Sequence, residues 1–393
     1  MKKLLFIFLF IFSLNLHSES LLDNFKYDFS FKLNITNITQ NDLITKYKSD
    51  NLYIFVKPIE QDEYGNYFNY LIKYNKNKKE SIVLKIENKG KYHAYSIDIN
   101  EKYFALLCWK RVLIYKWKDD NYYYDDEFKY DGSFDNIVLD NNFIFLYDCC
   151  IASSTMDEDS QTHLIKYDLM KGKTVFDEWL PNPEGFQFTF FGPRNLIEAN
   201  NKFTLVADAN NYKNKVYNSK NEVTDSITRK DVDWKTHPTT DSILKTIDIT
   251  SNRPKESIDN LRPLTGLISL IHRMSFINDS TFVLLWSKPW EKPFYYFFYF
   301  DIWGFRDGKW KLLKKDLRQV LDENALFTFD KMEITNSYTI SNSKLILVTD
   351  YPFDLEEEKY KSMTFAELKK QTDEYYKKND LSFTIIVYEY VEK

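Results

Sequence analysis

The chain has 393 residues, enough for one large all-β domain or two ordinary ones, and 44% hydrophobic with 28% charged residues is a globular balance that can bury a core. Its formal charge of −5 argues against nucleic-acid binding through bulk electrostatics. An odd count of cysteines without regular spacing, Cys108, Cys149 and Cys150, is no disulfide framework.

The first residues, MKKLLFIFLFIFSLNLHSES, carry Lys2 and Lys3, an apolar stretch from Leu4 to about Leu16, and then small polar residues. That is the anatomy of a signal peptide over residues 1–18, too short to span a bilayer comfortably, and it implies export to the periplasm, the cell envelope or the medium. Its removal takes Lys2 and Lys3 away and moves the charge from −5 to −7. A single domain is expected over 25–393, with no further membrane-crossing segment. It opens on FKYDFSFKLNI (25–35), where every odd position is apolar, the period of a half-buried strand.

From there one pattern recurs six times: KSDNLYIFV (48–56), NEKYFALLC (100–108), DNNFIFLYD (140–148), NNKFTLVAD (200–208), NDSTFVLLW (278–286) and SNSKLILVT (341–349). Each has two or three polar turn formers followed by an apolar run, usually after another short apolar strand, which reads as a hairpin. With only 9 Gly and 10 Pro in the chain, these turns must rest on Asn and Asp. A second set follows the first: YLIKYN (70–75), RVLIYKW (111–117), THLIKYDL (162–169), SILKTIDI (242–249), YFFYFDIW (296–303) and FTIIVYEY (383–390). A more polar strand usually comes next, as in SIVLKIE (81–87), TVFDEW (174–179) and KWKLLKK (309–315).

Each unit is thus four strands graded from apolar to polar, and the unit starts lie 52, 40, 60, 78 and 63 residues apart. The sixth unit has no outer strand of its own, and 25–35 supplies it. The chain resembles six-bladed β-propellers, all-β rings of four-stranded blades, here closed by the N-terminal strand; the widest gap leaves room for a seventh blade. NKFTLVADANN (201–211) is similar to an NHL-type repeat.

In an antiparallel blade the second turn and the crossover to the next blade share one face. Insertions are expected there over 209–241 and 351–380, and TFAELKKQTDEYYKKN (364–379) reads as a short helix, a lid or a plug on that face. Large insertions on one face of a repeat fold mark a binding face.

No phosphate loop, nucleophile elbow or H-E-x-x-H pair is present in the sequence. Superposing the six second strands places Asp148, Asp208 and Asp350 together where the chain enters the insertion face. They either converge on a polar ligand or a cation, for which calcium is the candidate, or each serves its own loop as an Asx turn; no other cofactor is implied. Trp286, Trp290 and Tyr351 fall on or near the same face as candidates to hold a sugar or a protein, although an 18% aromatic content places rings there by composition alone. The leading expectation is an exported, non-catalytic propeller that binds a protein or glycan. The rival is a propeller enzyme, a metal-dependent lactonase or a sugar hydrolase or lyase, using carboxylates at the channel mouth.

Overall fold

The computed structural model describes residues 21–35, 42–130, 134, 136–148, 161–181, 196–208, 211–235, 269–289, 296–318, 338–349, 351–353, 357–363, 365–379 and 382–392. Six four-stranded antiparallel sheets form the six blades of a β-propeller. Blade 1 is β2 (Leu43–Lys48), β3 (Asn51–Gln61), β4 (Tyr67–Asn75) and β5 (Glu80–Glu87). Blade 2 is β6 (Ser96–Ile99), β7 (Tyr103–Cys108), β8 (Arg111–Lys118) and β9 (Asn121–Lys129). Blade 3 is β10 (Asn136–Asp140), β11 (Phe143–Asp148), β12 (Gln161–Asp168) and β13 (Lys173–Pro181). Blade 4 is β14 (Ile197–Ala199), β15 (Phe203–Ala207), β16 (Lys213–Asn218) and β17 (Val223–Thr228). Blade 5 is β18 (Leu270–Asn278), β19 (Thr281–Pro289), β20 (Tyr296–Arg306) and β21 (Lys309–Arg318). Blade 6 is β22 (Tyr338–Ser341), β23 (Lys344–Thr349), β24 (Ser382–Tyr390) and, outermost, β1 (Phe25–Asn34).

The ring closes as the alternation at 25–35 implies. β1 runs antiparallel to β24 from Phe25 opposite Tyr390 to Asn34 opposite Ser382, with one bulge between Tyr27 and Phe29. Each innermost strand meets the innermost strand of the next blade, in the order β2, β6, β10, β14, β18, β22 and back to β2. At that last seam the Ser341 hydroxyl donates to the Tyr47 carbonyl at 2.9 Å and accepts the Tyr47 N–H at 3.2 Å.

The apolar runs of the second strands follow from their position between two neighbouring blades. All six residues of β7, YFALLC, are buried. Phe104 and Leu106 pack with Phe55 and Leu71 of blade 1, while Ala105 and Leu107 pack with Ile144 and Ile165 of blade 3. Both faces are core, so alternation disappears, and a Phe there stabilises by about 1.5–3 kcal/mol.

Blade 4 departs from the expected arrangement. Residues 213–218 and 223–228, inside the segment expected to be an insertion, are its third and fourth strands, and the turn before them is only Asp208–Tyr212. KNKVYN hides its period because one of its inward residues is Asn214, which is fully buried beside Val216. The expected strand 242–249 lies outside the described residues, in the crossover from β17 to β18. That crossover still emerges on the second-turn face. The helix is present as Phe365–Tyr376, following a single turn at Glu358–Lys361. Tyr375 receives a hydrogen bond from Lys32 of β1 at 3.0 Å, so the helix is tied to the outer edge of blade 6.

Candidate functional site

The two faces of the ring differ in construction. On the first-turn face the links within the blades are at most four residues long, as at 49–50, 100–102, 141–142, 169–172 and 279–280. The recurring asparagine explains them. Asn100 Oδ1 accepts the N–H groups of Lys102 and Tyr103 at 2.9 and 2.8 Å, closing its own turn, while Nδ2 donates to the Asn141 carbonyl of the next blade at 2.8 Å. Asn200 does the same, accepting from Lys202 and Phe203 at 2.9 Å each and donating to the Asp279 carbonyl at 3.3 Å. Asn141 in turn donates to Asn201. At two of the two-residue turns, Ser49–Asp50 (47° and 59°) and Asn342–Ser343 (49° and 60°), both residues have positive φ, the twist that such a hairpin needs.

This girdle frames a cavity of about 190 Å³ at the mouth of the central channel. Lys46, Lys48, Asp98, Asp140, Glu198 and Asp279 line it, two cations against four carboxylates, or −2 in formal charge. Asp98 at its floor is buried, with Lys46 Nζ 3.4 Å from Oδ1. Its two oxygens accept the N–H groups of Ile99 at 2.9 Å and of Leu139, in the next blade, at 2.8 Å. Burial works against the Lys46 ammonium, but Asp98 and Glu198 outweigh it and its pKa is raised. Burial raises the Asp140 pKa, and Asp98 and Asp279 add to that against Lys48 and Lys166. These residues lie on the innermost strands and first turns of their blades, away from the second strands that carry the aligned aspartates. The sequence signal of the cavity residues is a lone charge within a short apolar inner strand, Asp98 in SIDI and Glu198 in LIEA.

A second polar cluster joins blades 4 and 5 near the other face. Arg229, just past β17, has its guanidinium buried and contacts three carboxylates: Asp301 at 2.8 Å, Asp316 at 2.9 Å and Asp231 at 3.0 Å. Burial opposes the Arg229 charge, but these carboxylates outweigh it and raise its pKa, while Arg229 and Lys315 together hold Asp231 well below the usual carboxylate range. The Tyr212 hydroxyl also binds Asp301, and Trp303 Nε1 donates to that hydroxyl at 3.1 Å.

Trp286 belongs to the wall of this cluster. It is buried, stacks on Tyr299 with 4.7 Å between ring centroids, and has Trp234 at 5.9 Å and Tyr212 at 6.3 Å. Tyr351 stands apart from that group in its stacking, lying 6.3 Å from Phe353, which stacks on Tyr360 at 4.4 Å. Asp208 Oδ2 accepts from Asn211 Nδ2 at 2.7 Å within its own turn. Asp148 ends β11 opposite His163, but its side chain lies outside the described residues, as do Asp350 and Trp290 entirely. Among the described residues no group of three His, Cys, Asp or Glu is placed to hold a metal ion, and no helix is long and apolar enough to cross a membrane.

A third feature lies at the rim of the insertion face in blade 3. His163 of β12 and Trp179 of β13 stand opposite each other, their rings stacked at 3.9 Å and 10°. His163 Nε2 is 2.7 Å from Asp177 Oδ1, and the Phe134 ring lies 5.3 Å from the imidazole, tilted by 40°.

No family model matches the chain, and no curated protein matches it. Among solved structures, a candidate exported protein of Bacteroides fragilis NCTC 9343 is similar over 95% of this chain and 97% of its own, at a TM-score of 0.54 and 13% identity. The WD40 domain of Neurospora crassa Pan2 is similar over 85% of this chain and 82% of its own, at a TM-score of 0.42 and 6% identity. The first likeness shows the fold alone.

Proposed function

We propose that this chain is an exported, non-catalytic β-propeller that binds a protein or glycan partner through the face bearing its long connections. One observation carries the reading. Every link longer than four residues, among them 149–160, 182–196, 229–269, 319–337 and 350–381, leaves the ring on the same face. The opposite face is drawn together by the asparagine girdle. A rigid frame that concentrates its variable length on one side suits recognition by loops. Export is supported by the leader at residues 1–18 and by the name of the Bacteroides neighbour.

Photo-crosslinking tests this in the native host. A crosslinking amino acid at Asp233 or Lys235, beside the crossover after blade 4, is expected to trap a partner outside the cytoplasm. The same residue at Asp119 or Asp307, in first-face turns, should not. Adducts from both faces alike, or from the short-turn face alone, would reject the assignment.

A further inference from the structure

We propose that Trp179, held flat on His163 and flanked by Asp177, is a stacking platform for a pyranose ring, which makes the partner a glycan. The inference rests on the reading that the insertion-bearing face binds a partner. Trp179 is two residues from the end of β13 and His163 two from the start of β12, so both lie at the rim of that face. The indole is 56% exposed although its inner face is covered by the imidazole. The ladder continues inward from His163 to Phe134 and Tyr130, with 4.7 Å between the last two rings, and the Tyr130 hydroxyl donates to the Cys108 carbonyl at 2.7 Å. The exposed ring is therefore anchored through three side chains to the frame of blade 2, and its orientation is set before any ligand arrives.

Stability does not account for this arrangement. A solvent-exposed indole forgoes the burial that an aromatic ring ordinarily gains. The imidazole beneath it is buried, with Nδ1 lacking a hydrogen-bond partner among the described residues, where an apolar ring would carry no such penalty. Two unfavourable choices at one spot, each serving to hold an indole face open, point to a ligand. The chemistry selects a sugar. A pyranose presents a face of C–H bonds to an indole and hydroxyls at its edge. Asp177 is two residues along the same strand, on the same side, and half exposed, so one oxygen binds His163 while the other is free to accept from a hydroxyl. The core of a protein interface is instead depleted of carboxylates. Trp109, in the tight turn between β7 and β8, exposes a second indole at the corresponding end of the neighbouring blade, which suits a chain of sugars better than a single one.

The test uses the full mature protein on a microarray of plant, microbial and host oligosaccharides. Wild type should bind at least one class, Trp179→Ala should lose about tenfold or more, and Trp179→Phe should fall between them. Asp177→Asn, which keeps an acceptor for His163, should weaken the same glycans. In parallel, iodide quenching of tryptophan fluorescence should show a reachable component that Trp179→Phe removes. Absence of binding to any glycan, or a Trp179 that iodide does not reach, overturns the platform and leaves the insertion face to be judged by crosslinking. Glycan binding that Trp179→Ala leaves unchanged overturns the platform while retaining the binding reading.

Discussion

Asp28 in the first strand lies 2.9 Å from Lys344 in the last blade, and the same carboxylate also binds Lys76 in the outer turn of blade 1. Its position beside the bulge between Tyr27 and Phe29 lets it face both lysines, so one side chain ties the closing strand to the sheet it completes and to the blade next door.

Burial works against the Asp28 charge, but the two lysines outweigh it and its pKa is lowered. A carboxylate with a depressed folded-state pKa contributes stability that is fully present above its unfolded value, near 3.9, and is lost as the pH falls through the folded one. Asp28→Asn should cost about 2 kcal/mol near neutrality. The difference from wild type in urea melts should shrink as the pH is lowered from about 5 towards 3. A difference that stays constant over that window would mean that Asp28 stabilises the ring by packing alone.

The cluster around Arg229 sets a second test. Its guanidinium offsets Asp301, whose side chain is fully buried, and breaking such a pair from one side leaves an uncompensated charge. Arg229→Leu should therefore destabilise by about 3–5 kcal/mol. Adding Asp301→Asn to that variant should recover part of the loss, because the stranded charge is gone. Chemical denaturation of the two single variants and the double variant measures the coupling. Simple additivity would show that the residues act independently, and the clasp between blades 4 and 5 would then lie elsewhere.

The blades were legible where each residue had one dominant role. Asn100 and Asn200 close their turns with Oδ1, so the turn signal recurs in the sequence, and the apolar runs behind them are buried on both sides. Legibility failed in blade 4, where Asn214 sits fully buried in a strand whose outward residues are lysines, so KNKVYN resembles a loop. It failed at the channel mouth for a different reason. Asp98 is a single charge in a short strand and Lys46 lies on the innermost strand of another blade, and only the ring makes them neighbours. Trp179 was hidden by the abundance of aromatic residues, since nothing in one sequence distinguishes a ring held open on His163 from one packed away like Trp286.

The aligned aspartates make the last prediction. Asp208 accepts from the Asn211 side-chain amide within its own turn, and Asp148 and Asp350 occupy the corresponding ends of their strands in the sequence alignment. If each serves only its own loop, an Asp→Asn change at any one should cost on the order of 1 kcal/mol, because the amide oxygen keeps one acceptor while the charge is lost. The three lie in different blades, so pairs of changes should add to within about 0.5 kcal/mol. A shared calcium ion would behave otherwise. Chelator would lower the melting temperature of the wild type, a single Asp→Asn would abolish that sensitivity, and a double variant would cost clearly less than the sum, the first change having already released the ion. Additive costs and melting curves indifferent to chelator are the expected result. Sub-additive costs together with a chelator-sensitive wild type would instead establish a cation shared between blades on the insertion face.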